Sequence, residues 1–186
     1  MKKIKIILGV ISFFVGVFFL TGLFVKKTSY KTQVSINKPI ENVFETFTDI
    51  SNRKYWIPEL HSYEVVNQNP GKTGSVYKLV VQNQGQEIIS TEKVMAYIKN
   101  QKFTLYYTAQ NMLKRDDYVF NQKEGMTQII LNSSCQSDSY IMACIFPYFK
   151  GTFQKQDQIY LNNFKSSQVL RRYYLKSILK EVFINH

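Results

Sequence analysis

Asn37 to Leu60 reads N-K-P-I-E-N-V-F-E-T-F-T-D-I-S-N-R-K-Y-W-I-P-E-L. The alternating run Tyr30 to Ile36 ends where this stretch begins, so a strand passes directly into a helix. Pro39 suits the first turn of that helix, where its missing N–H would have had no partner in any case. Ile40, Val43, Phe44 and Phe47 recur at three- and four-residue spacing, which predicts a short amphipathic helix with one apolar face. Asp49 and Ser51 break it. Lys54-Tyr55-Trp56-Ile57-Pro58 follows as a second brief turn and carries the only tryptophan of the chain.

This strand, proline-led helix and W-x-P turn resembles the opening of START-like proteins, the SRPBCC superfamily of polyketide cyclases/dehydrases and lipid-transport proteins. Pro39, Val43, Phe44, Asp49, Trp56 and Pro58 stand at the matching places, and the order of the elements behind them agrees down to Phe164. The resemblance implies an α+β helix-grip fold, a curved antiparallel sheet wrapped around a long C-terminal helix.

The residues support the same architecture without the resemblance. Ser62 to Asn67 reads as a strand, and Asn69-Pro70-Gly71-Lys72-Thr73-Gly74 as a turn. Ser75 to Gln82 alternates, with Tyr77, Leu79 and Val81 on one face, and Asn83-Gln84-Gly85 is the next turn. Glu87 to Ile98 is a long strand with two mixed faces. Phe103, Leu105 and Tyr107 give the following strand an aromatic inner face, Asp117 to Asn121 presents Tyr118 and Phe120, and Met126 to Cys135 turns Ile129 and Leu131 inward. Lys114-Arg115-Asp116-Asp117 reads as a solvated turn. From about Pro147 to Ser167, Phe149, Phe153, Gln156, Tyr160, Asn163 and Phe164 fall on one helical face, and that helix must cover the concave face of the sheet.

At the front, Ile6 to Val25 carries no charge over a length that matches the hydrocarbon core of a bilayer. Lysines flank it on both sides, so loop charge leaves its orientation open. A cleaved signal peptide wants a shorter apolar core and a small-residue site, for which Leu23-Phe24-Val25 is poor. The expectation is a signal anchor over residues 1–27, a START-like domain over 28–168 and a basic amphipathic tail over 169–186, in a single-pass protein of the bacterial inner membrane. That tail reads equally as a continuation of the long helix.

The net charge is +11, but it is concentrated at the ends. Residues 1–27 hold five lysines and no acid, and 165–186 hold five basic side chains against Glu181 alone. The fourteen basic and twelve acidic side chains between them nearly balance, which fits anionic headgroups better than a phosphate-tracking stripe and argues against nucleic acid. Cys135 and Cys144 are too few for a disulfide framework and suit small hydrophobic packing. No Cys/His spacing for a metal and no glycine-rich phosphate loop occurs, so neither a metal nor a cofactor is expected.

A helix over a curved sheet encloses a cavity. Its expected lining is Trp56, Tyr77, Leu79, Phe103, Leu105, Tyr107, Tyr118, Phe120, Ile129, Leu131, Phe153 and Tyr160, each of which would serve equally as core. His61 reads as an exposed loop residue, and with His186 the only other histidine no catalytic triad suggests itself. The expected task is to bind a hydrophobic small molecule or lipid beside the membrane. The alternatives are a cyclase- or dehydratase-like enzyme using Tyr107, Glu64 or Glu92 as acid or base, and an envelope module that binds protein.

Overall fold

Strand β1 (Thr28–Ile36) buries every second residue without a break, as a half-buried strand must. The structure, a computed structural model, describes residues 2–83 and 85–184, with side chains described up to Gln168 apart from that of Asn83. Pro39 caps helix α2 (Ile40–Thr48) from just outside its first turn, and Val43, Phe44, Phe47 and Thr48 form its buried face. Asp49 then starts a 3-10 turn, Ile50–Tyr55, by accepting from the Ser51 N–H at 2.9 Å and from the Asn52 side chain at 2.9 Å. The residue that ends one helix therefore caps the next.

This helix-and-turn crossing carries the chain to the opposite edge of the sheet. From there β2 (Leu60–Asn67), β3 (Val76–Asn83), β4 (Gln86–Ile98), β5 (Lys102–Ala109), β6 (Met112–Lys123) and β7 (Met126–Gln136) meander back until β7 pairs with β1. The spatial order is β1-β7-β6-β5-β4-β3-β2, antiparallel throughout. Glu124 and Gly125, at φ 52° and 76°, close the β6–β7 hairpin, and Gly125 supplies a left-handed conformation with no Cβ penalty. Irregular register between β2 and β3, and between β4 and β5 at Val94 and Ala96, accompanies the curvature.

Two expectations change here. β6 is more than twice as long as the expected Asp117–Asn121, because the reversal occurs at Gln110 and Asn111 and the charged quartet lies inside the strand. Asp116 is buried there instead of sitting in a solvated turn. The inner face of β4 is now fixed, since Ser90, Glu92 and Val94 are buried.

Helix α3 (Tyr140–Ile145) and a 3-10 turn, Phe146–Phe149, lead into helix α4 (Lys150–Ile184). Pro147 belongs to that turn, and Phe149 points outward at 51 % exposure instead of joining the inner face. The stretch from residue 169 continues α4 as far as Ile184, while the expected apolar stripe on it, and His186, lie outside the described side chains. Leu161 and Phe164 seal α4 onto the sheet. Gln154 and Gln158 donate to the carbonyls of Lys31 and Gln33 at 2.9 and 3.1 Å, which covers part of the free edge of β1.

The core centres on Phe47, whose ring packs against Trp56, Tyr118, Phe120 and Phe164 at centroid distances of 5.0, 4.8, 5.4 and 4.9 Å. Outside this body, helix α1 (Lys2–Phe24) is long and apolar enough to cross a membrane, a criterion that a signal sequence near the N-terminus also meets. Phe18, Thr21 and Gly22 are half-buried, and the rest of the helix is exposed.

Candidate functional site

Between α4 and the inner faces of β3 to β6 lies a partly open cavity of about 550 Å³. Ile57, Leu60, Leu79, Val81, Ile88, Ala109, Met112 and Phe153 make most of its wall apolar. The period of two along β6 aims Lys114, Asp116 and Tyr118 into it, and Thr152, Phe153, Gln156, Asp157 and Tyr160 face it from successive turns of α4.

The polar groups are concentrated around Lys114. Its ammonium donates to Asp157 Oδ1 and Oδ2 at 2.8 and 2.9 Å and stands 3.0 Å from Asp116 Oδ2. Ser133 Oγ donates to Asp116 Oδ1 at 2.6 Å, and Tyr30 OH to Asp157 Oδ2 at 2.8 Å. Burial alone would pull the Lys114 ammonium down, but Asp116 and Asp157 together outweigh it and hold it well above the usual lysine range. Asp116 is pushed up by burial against the opposing pull of Lys114. This cluster is therefore a charged knot in which every member has a partner.

A second buried pair ties the 3-10 turn to β4. Arg53 Nη1 donates to Glu92 Oε2, and Glu92 Oε1 has no protein partner. Burial works against the Arg53 charge, yet Glu92 holds it above the ordinary range. Burial and the nearby Glu92 carboxylate raise the Tyr107 phenol, and burial together with Asp116 raises Tyr118. Both hydroxyls stay protonated at neutral pH and are hydrogen-bond donors. On the α4 side, Gln156 donates to Glu59 Oε1 at 3.1 Å, while Glu59 Oε2 and Trp56 Nε1 are buried without a protein partner. The arrangement can receive an apolar body and hold one hydrogen-bonding end.

Of the twelve side chains expected at the cavity, Trp56, Leu79, Tyr107, Tyr118, Phe153 and Tyr160 line it. Tyr77, Phe103, Leu105, Phe120, Ile129 and Leu131 belong instead to the solid core, where Phe103 and Phe120 pack with Tyr97, Phe44 and Phe47 beneath α2. Glu64 is exposed on β2 opposite Lys78, away from the cavity, and His61 is exposed at the start of the same strand. Sequence reasoning missed Arg53 and Asp157, and it read Lys114 and Asp116 as part of a solvated turn. The one available signal was that Lys114, Asp116, Tyr118 and Phe120 share a period of two. Cys135 and Cys144 are both free and buried. Among the described residues no cluster of three or more His, Cys, Asp or Glu could hold a metal ion.

A seven-stranded antiparallel sheet gripping a long C-terminal helix defines the START-like helix-grip fold. Solved structures bear this out. The Zhui aromatase/cyclase from a Streptomyces species superposes with a TM-score of 0.65 at 13 % identity, covering 76 % of this chain and 93 % of that one. A START superfamily protein from Mycobacterium smegmatis gives 0.60 at 11 % identity, covering 74 % and 97 %. The di-domain aromatase/cyclase of the steffimycin biosynthetic pathway gives 0.62 at 6 % identity, covering 75 % of this chain and 50 % of that one. No family model matches the sequence, and no curated protein does. At these identities the likeness is one of fold.

Proposed function

We propose that α1 holds this START-like domain at a bilayer, and that the domain binds a hydrophobic small molecule or lipid in the cavity between sheet and α4. The cavity itself carries the reading. Its volume of about 550 Å³ falls in the range of small-ligand sites, and its wall is mostly apolar, with polar groups at the Lys114 knot, the tyrosine hydroxyls, Arg53, Ser90, Thr152 and the rim of Trp56, Glu59 and Gln156. A ligand with an apolar body and one hydroxyl or carbonyl end satisfies both parts. Tyr107 and Tyr118 keep their protons at neutral pH, which suits them to orienting a polar end, while the three donors of Lys114 are engaged by Asp116 and Asp157.

The experiment is organic extraction of the purified full-length chain, with the extract analysed by mass spectrometry beside that of Ala109→Trp. Ala109 lies on the cavity wall, so the indole fills ligand space without displacing core. A hydrophobic molecule near one per chain in the wild type and lost in the variant is the expected result. Equal recovery from both proteins would mean that the lipid clings to α1 and would refute the cavity reading.

A further inference from the structure

The segment from Ser139 to Phe149, Y-I-M-A-C-I-F-P-Y-F after its opening serine, has no charged residue and is bounded by Asp138 and Lys150. It folds as the elbow formed by α3 and the following 3-10 turn. Much of its apolar surface is bare: Ile141, Tyr148 and Phe149 are 58, 59 and 51 % exposed. An uncharged run of this length is too short to cross a bilayer, and its bare surface suits a segment lying in the interface better than a buried core helix.

The elbow's neighbour says what covers it. The Tyr148 ring stacks on Phe18 and the Tyr140 ring on Phe19, at 6.1 and 6.2 Å, while Thr21 Oγ1 and Tyr148 OH share a hydrogen bond of 2.9 Å. Tyr140 OH donates to the Phe19 carbonyl at 2.5 Å. All these partners lie near the C-terminal end of the uncharged run Ile6 to Val25. At about 1.5 Å of rise per residue, Thr21 is about 6 Å and Phe18 about 10 Å inside the end of that run. Those depths match the roughly 5–10 Å to which interfacial helices sink.

We propose that the elbow is embedded in the bilayer beside α1, with Ile141 and Phe149 in the acyl region and the rings of Tyr140 and Tyr148 beside Phe19 and Phe18, below the headgroups. This rests on the reading of α1 as a membrane anchor. On its inner side Phe146 packs edge-on against Phe153 at 5.7 Å, and Met112 and Met142 join the same small cluster. Phe153 and Met112 also line the cavity, so the embedded elbow brings that end of the cavity to membrane level.

The test uses the full-length chain in phosphatidylcholine/phosphatidylglycerol vesicles. Trp56 is the only native tryptophan and is 4 % exposed, so an Ile141→Trp variant adds one distinguishable reporter. Flotation with the vesicles is scored first. In protein that floats, the added emission is expected to be blue-shifted, quenched by 5-doxyl phosphatidylcholine and insensitive to iodide. A Tyr63→Trp control on the exposed β2 edge should show the opposite. Iodide quenching of Ile141→Trp in floating protein would overturn the elbow proposal and leave the anchor standing. A chain that fails to float would overturn both.

Discussion

Lys114 on β6 and Asp157 on α4 meet across the cavity floor, the ammonium donating to both carboxylate oxygens at 2.8 and 2.9 Å. The pair locks the helix to the sheet at the point where the cavity is polar. Asp116, 3.0 Å from the same ammonium, gives one cation two carboxylates. A buried arrangement of this kind holds only while every charge keeps its partner.

Lys114→Met should therefore destabilise the folded chain by about 3–5 kcal/mol at neutral pH, since it leaves two acids without their cation. The pH dependence has a definite sign. Burial already raises Asp116, and Lys114 is what opposes it. Without Lys114 the folded-state value rises further above the unfolded one, near 3.9. Such a carboxyl contributes stability below its unfolded value and loses it as pH rises through the folded one. The deficit against wild type should be largest near pH 7.5 and shrink towards pH 4.5 in thermal melts. Adding Asp116→Asn and Asp157→Asn should restore most of the loss at pH 7.5. A deficit independent of pH would show that packing, not charge, is what Lys114 supplies.

Phe47 is the ring on which helix, turn and sheet converge, with four aromatic neighbours and 1 % exposure. Phe47→Ala should cost about 3–5 kcal/mol in a denaturant titration, the range for emptying a large buried site. Trp56 stacks on Phe47 at 5.0 Å, so its fluorescence should also move to the red in the native state. A loss under about 1 kcal/mol would mean that the neighbours collapse into the space.

Cys135 tests the burial of the smaller cluster beside Tyr30 and Phe146. Burial pushes its thiol up to about 11 from an ordinary 9.0, against the pull of Lys114. At pH 8 roughly one molecule in a thousand is thiolate, so alkylation by iodoacetamide should be at least about a hundredfold slower in the native chain than in the unfolded one. The stabilising contribution of the protonated thiol is complete below pH 9 and is lost as pH rises towards 11. Peptide mapping after timed alkylation reads the rate, and rapid native labelling at pH 8 would contradict the burial.

The fold was legible because its signals are local. Alternation in Phe103, Leu105 and Tyr107, the helical spacing of Val43, Phe44 and Phe47, and the Asn69-Pro70-Gly71 turn each depend on residues a few positions apart. Half of the expected cavity residues proved to be solid core, because alternation shows that a side chain points inward but not whether α2 or α4 lies above it. The polar floor was hidden for a different reason. Lys114 and Asp116 look like surface charges until Asp157, more than forty residues on, arrives to neutralise them, and Arg53 needs Glu92 in the same way. No local pattern reports a partner chosen by the tertiary fold.

Gly22 offers a test of how α1 meets the domain. A Cβ at this position would collide with Cys144 Sγ and come within 3.1 Å of the Tyr140 ring and 3.4 Å of the Cys144 backbone nitrogen. Glycine is thus what permits the helix to approach α3 so closely. Gly22→Leu should push the two helices apart and unstack Phe19 from Tyr140, while the sheet and α4 keep their packing. Cys144 is buried in the wild type, so the readout is its alkylation by a lipid-soluble maleimide in vesicle-bound protein. A severalfold faster reaction in Gly22→Leu, with Cys135 unchanged as the internal control, is the expected outcome. Unchanged labelling of both would show that α1 is not packed on α3 in the membrane, and faster labelling of both would point to a general loosening of the domain.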